Sequence, residues 1–93
     1  MASSSDAFEK LSTWKNERTW LNVTVIERGR PEQKLFVRIV GVDEEANLVG
    51  IVGEAMHSFW QFDVGQAEFS VETERVVVSR DDLEWLIFEV AES

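Results

Sequence analysis

The sequence predicts a mainly β domain: a short N-terminal helix, then a strongly bent antiparallel sheet closing as a small barrel. Three observations carry this prediction. Apolar residues recur at helical spacing only near the start, at Phe8, Leu11 and Trp14. From Trp20 onward they alternate with polar residues at a period of two, as in a half-buried strand. Turn-forming residues then interrupt that alternation at short intervals. Strands that follow one another through short turns form antiparallel meanders, and small meanders hide their edges by curling.

Residues 1–5 are Met, Ala and three Ser, and the expectation for them is a disordered tail. Asp6 with Glu9 three residues on has the form of a capping box, so a helix is expected over 6–16. A helix this short is not stable alone, so its Phe8–Leu11–Trp14 stripe must dock on a core. Leu21, Val23 and Val25 alternate with Asn22 and Thr24 in a first strand. Gly29-Arg30-Pro31 ends it, since proline cannot donate a ladder hydrogen bond. A second strand is expected over 35–42, and 43–47 (Asp-Glu-Glu-Ala-Asn) is a polar turn. The third strand, 48–52, carries Gly50, and glycines inside strands mark bends or close approach. An aromatic strand follows at 58–63, a shorter and weaker one at 67–71, then strands at 75–79 and 83–90. Residues 6–93 thus read as one domain.

Ninety-three residues suffice for one domain with one core: apolar residues are 44% and charged residues 29% of the chain. No apolar run approaches the ~20 residues that span a bilayer. The first residues show no basic end followed by an apolar stretch, so a cytoplasmic location and no membrane association are expected. Cysteine and tyrosine are absent and His57 is the only histidine. Disulfides, thiolate nucleophiles and zinc–sulfur sites are excluded with the cysteines. The net charge is −9, but residues 1–40 carry +2 and residues 41–93 carry −11. An acidic whole argues against general polyanion binding. The weakly basic stretch holding Arg28, Arg30, Lys34 and Arg38 leaves room for a narrower contact, with a phosphate or with the acidic face of another subunit.

No catalytic motif is present: there is no Gly-x-Ser-x-Gly, His-Glu-x-x-His, phosphate loop or calcium loop. His57 beside Glu54 and Ser58 is the single acid–base candidate, and its ordinary explanation is a loop position next to a strand. The carboxylates at 43–45 and at Asp81-Asp82 lie in turns, where Asp commonly bonds backbone amides. Neither cluster has calcium-ligand spacing. No enzyme activity, cofactor or metal is expected. Four tryptophans are dense for this length. Core packing accounts for at least two, while Trp60 is a candidate interface residue.

Two short stretches resemble the Sm and Sm-like family of small β-barrels. Residues 42–49, Val-Asp-Glu-Glu-Ala-Asn-Leu-Val, look like its first motif, an Asp followed four residues later by an Asn and then apolar residues. Residues 76–83, Val-Val-Val-Ser-Arg-Asp-Asp-Leu, look like its second, a β run ending in Arg-Gly before the last strand. Residues 23–30 are similar to the family's first strand and glycine turn. The comparison spans about residues 6–90, with 57–74 as an enlarged loop between the third and fourth strands. The chain departs from the pattern at Val37, where the family has glycine, and at Asp81, where the Arg-Gly glycine is missing.

The resemblance implies an Sm-like or SH3-like barrel and a homo-oligomer assembled by pairing edge strands. It also implies a site for short single-stranded RNA. In that site Asn47 would bond a base edge, Asp43 would orient Asn47, and Arg80 would brace the base. Asp81 and Asp82 would lie beside the pocket and repel phosphate. The expected function is a non-catalytic, self-assembling Sm-like barrel, with short single-stranded RNA as its candidate ligand. The alternative is an acidic protein-interaction module, an adaptor or inhibitor-like partner with no nucleic-acid role. Expected interface residues are Arg28, Arg30, Lys34, Arg38 and Trp60.

Overall fold

Among the described residues, the period-two patterning becomes seven strands and the helical stripe becomes one helix. The computed structural model describes residues 4–54, 58–80 and 83–91. Helix α1 spans Ser4–Glu17, starting two residues ahead of Asp6. Asp6 sits in its first turn and Lys15 in its last, each at the helix end that favours its charge. Arg18 adopts a left-handed φ of 55° and stops the helix. The Thr19 N–H donates to the Trp14 carbonyl at 3.0 Å and the Arg18 N–H to the Lys15 carbonyl at 3.2 Å. That pair of bonds satisfies carbonyls the helix end would otherwise orphan.

The strands are β1 (Trp20–Val25), β2 (Gln33–Asp43), β3 (Leu48–Gly53), β4 (Phe59–Asp63), β5 (Glu68–Glu72), β6 (Arg75–Arg80) and β7 (Leu83–Val90). They form one antiparallel sheet in the order β4-β3-β2-β1-β7-β6-β5. The first strand is therefore central, bonded to β2 on one side and to β7 on the other. Between β1 and β2, Gly29 with φ 79° makes the turn closed by the Arg30 N–H on the Glu27 carbonyl. The bend expected of the Gly50 strand pair is a register shift between Ile39 and Gly41 on β2–β3, and a second shift, not expected, lies between Val78 and Ser79 on β6–β7.

One face of the sheet lines the core. Leu21, Val23, Val37, Val49, Ile51, Val76, Val78, Leu86 and Phe88 are buried there. Ala7, Phe8, Leu11 and Trp14 of α1 belong to the same cluster. The Phe8 and Phe69 rings meet with centroids 6.0 Å apart. No buried polar or charged side chain occurs among the described residues. The core is held by apolar packing, and the indole N–H of Trp85 is buried in it without a hydrogen-bond partner among the described residues.

The expected barrel closure is not made. The terminal strands β4 and β5 do not pair, and the sheet remains open. Instead α1 packs against β2 on one side and against β5 and β6 on the other. Its apolar stripe fills the concave face, so the sheet wraps the helix rather than closing on itself. The expected enlarged loop over 57–74 contains β4 and β5, joined through the buried Val64. No described helix is long and apolar enough to cross a membrane.

Candidate functional site

The turn between β2 and β3 is built by its own polar side chains. The Ala46 N–H donates to Asp43 Oδ1 at 3.1 Å, and the Asn47 N–H to the Glu44 carbonyl at 3.3 Å. Asn47 has φ 57°, the left-handed region that Asn tolerates better than most residues. Its carbonyl accepts the Val64 N–H at 2.8 Å, which ties this turn to the β4–β5 connection. That connection is shaped in turn by Asp63, whose Oδ1 accepts the Gly65 N–H at 2.9 Å. A methyl group on Gly65 would come within 3.1 Å of that oxygen and 3.7 Å of the Asn47 side chain. The tight contact is with Asp63 of the same turn, whereas the approach to Asn47 is ordinary van der Waals contact.

Arg80 completes the arrangement. It ends β6, and its guanidinium carbon lies 3.9 Å from the ring centroid of Trp85, which is buried. Stacking on Trp85 fixes a long side chain that would otherwise sweep the solvent. Ala46, Asn47, Asp63, Gly65, Gln66 and Arg80 line an open depression of about 460 Å³. The structure therefore brings Asn47 and Arg80 together. Asp43 stands apart from the depression, and the bond it makes to Ala46 supports the turn. Asp63, Gly65 and Gln66 were not expected there: the Val64-Gly65-Gln66 turn was legible, its contact with Asn47 was not. With one cation, one carboxylate and two side-chain amides, the depression can hydrogen-bond a planar polar group.

The expected interface residues separate. Arg28 and Arg30 are exposed in the β1–β2 connection, where Arg30 meets Glu27 at 3.5 Å. Lys34 and Arg38 lie on the face of β2 turned away from the core. Arg38 is set 5.9 Å from the Trp20 ring, and Trp20 stacks on Phe36 with centroids 5.0 Å apart and 10° between planes. Trp60 is on the opposite face, partly buried against the core. Its neighbour Phe59 is 62% exposed and rests over Gly50. Trp14 and Trp85 are buried, as core packing requires.

No family model, curated protein or solved structure matches the chain. Its function therefore has to be argued from these surfaces. His57, Asp81 and Asp82 lie outside the described residues. Glu54, the carboxylate considered with His57, is exposed. Among the described residues, no three His, Asp or Glu side chains converge to hold a metal ion.

Proposed function

We propose that the protein is a non-catalytic, Sm-like β domain of the cytoplasm that assembles with copies of itself through the edge of β4. One observation carries this reading. The Gly53 N–H bonds the Ser58 carbonyl, and the Val64 N–H bonds the Asn47 carbonyl. Hydrogen-bonded pairs alternate along an antiparallel ladder. Trp60 and Phe62 therefore bond to β3, while the N–H and C=O groups of Phe59, Gln61 and Asp63 point away from the sheet. A row of such groups beside an exposed phenylalanine is a template for another strand.

Gln61→Pro tests this directly. It removes one outward N–H and leaves the bonds to β3 intact, a position where edge strands tolerate proline. The expected result is loss of edge-mediated oligomers in sedimentation velocity with an unchanged circular dichroism spectrum. Oligomers of the same size in the proline variant would defeat the proposal.

A second reading, single-stranded RNA at Asn47 and Arg80, is favoured by their shared depression. Asp63 in the same lining weakens phosphate contact there, so binding depends on the base more than the backbone. Arg80→Ala and Asn47→Ala should each weaken binding of a uridine- or adenine-rich oligomer by about tenfold, the range of one lost base contact. Absence of wild-type binding at low salt, where electrostatic attraction is greatest, would exclude it.

A further inference from the structure

The sheet ends in two strands that do not bond each other, β4 and β5, and their edges differ in charge. On β4 the outward N–H and C=O groups belong to Phe59, Gln61 and Asp63, all exposed. Trp60 and Phe62, between them, face the core and are half-buried. On β5 the outward groups are fixed by the far side of β6. The Val90 N–H bonds the Glu74 carbonyl at 3.0 Å, so Val76 and Val78 bond β7 in the same phase. Arg75 and Val77 are left to bond Glu72 and Ser70 of β5. The outward groups of β5 are therefore those of Phe69 and Val71, whose side chains pack on the core. Glu68, Ser70 and Glu72 flank them, exposed on the other face.

Three antiparallel pairings between copies can be compared residue by residue. When β5 meets β5 with Phe69 bonded to Val71, Glu68 stands opposite Glu72 on both sides of the axis, a destabilising contact. When β4 meets β5, two registers bond both Phe69 and Val71. One sets Phe62 opposite Glu68 and the other sets Trp60 opposite Glu72, so an aromatic side chain faces a carboxylate in each. When β4 meets β4 with Gln61 opposite itself, neither fault arises. Phe59 then opposes Asp63 of the other copy, and all three outward residues of each strand are bonded. Trp60 opposes Phe62 on both sides of the axis. Those are the closer, non-hydrogen-bonded pairs, in which aromatic side chains stabilise a ladder. The two Asp63 residues stand four residues apart along the ladder, about 13 Å, beyond a Debye length at physiological salt. Each chain carries −9, and β4 holds one charged residue, so this edge is where two copies repel least.

We infer that β4 pairs with β4 of a second copy about a two-fold axis perpendicular to the sheet at Gln61. This dimer presupposes the β4-edge assembly proposed above and adds its partner strand, register and symmetry. The contact is isologous and uses up both β4 edges, so it closes at two chains and does not propagate into a ring.

A residue on a two-fold axis meets itself, and that gives the dimer a signature. In sedimentation equilibrium, Gln61→Lys and Gln61→Glu should each weaken self-association by up to about fivefold, as like charges directly opposite do. An equimolar mixture of the two sets opposite charges on the axis and should associate at least as tightly as the wild type. Amide exchange at Phe59, Gln61 and Asp63 should slow as the wild-type concentration rises, while Phe69 and Val71 keep their rates. A wild-type monomer, or an oligomer untouched by Gln61→Pro, would defeat β4 assembly and this dimer with it. Dispersal by Gln61→Pro leaves β4 assembly standing. The dimer alone is then overturned by a particle larger than two chains, by tighter association of Gln61→Lys against an acidic β5, by a mixture no tighter than its components, or by protection of Phe69 and Val71.

Discussion

Phe88→Ala should destabilise the protein by about 3–5 kcal/mol, the cost of emptying an aromatic-sized volume in a rigid core. Phe88 is fully buried on β7 and pairs with Val23 on one side and Val76 on the other, both equally buried. Strands on both flanks hold their spacing by backbone hydrogen bonds, so the site cannot collapse to fill the space. For a domain of this length such a loss lowers the melting temperature by roughly 15–30 °C. Total stability is typically only 5–15 kcal/mol, so the variant should be partly unfolded near 37 °C. Urea denaturation followed by tryptophan fluorescence measures this, and a loss under about 1 kcal/mol would contradict the core placement.

Phe8→Ala should have an effect of similar size, about 3–5 kcal/mol, for a different reason. Phe8 is 2% exposed and joins α1 to β5 through Phe69. The sheet depends on α1 because its two ends are not hydrogen-bonded to each other. Loosening the helix should therefore expose the concave face. Amide exchange should accelerate in α1 and β5 first, and Trp14 emission should shift to the red. Lys10→Ala is the control. Lys10 reaches the Trp14 ring only at 5.6 Å, so its removal should cost under about 1 kcal/mol. Equal losses in the two variants would mean that α1 is held by its surface rather than by its buried stripe.

The strand positions were legible because burial on one face imposes alternation, and alternation survives in a single sequence. The start of α1 was misjudged by two residues, as capping signals alone permit. Closure was misjudged because alternation reports which side chains face the core and says nothing of which strands pair. A short meander can curl onto itself or onto a helix with the same pattern. The inward direction of Trp60 is written in residues 59–63 (Phe-Trp-Gln-Phe-Asp). Gln61 and Asp63 share a face with Phe59, which sends Trp60 and Phe62 inward. The pairing of Asn47 with Arg80 was expected from the resemblance, whereas Asp63 and Gln66 enter only through the Asn47–Val64 backbone bond.

The place of β1 at the centre of the sheet has a bearing on synthesis. Its first neighbour, β2, follows within a few residues, but its second, β7, begins some sixty residues later. Until that segment has left the ribosome, the nascent chain holds a central strand with one raw flank. Loop closure over so long a span is slow, and the waiting species is prone to sticking. Yield in rapid expression should thus respond to translation speed across the codons between β2 and β7.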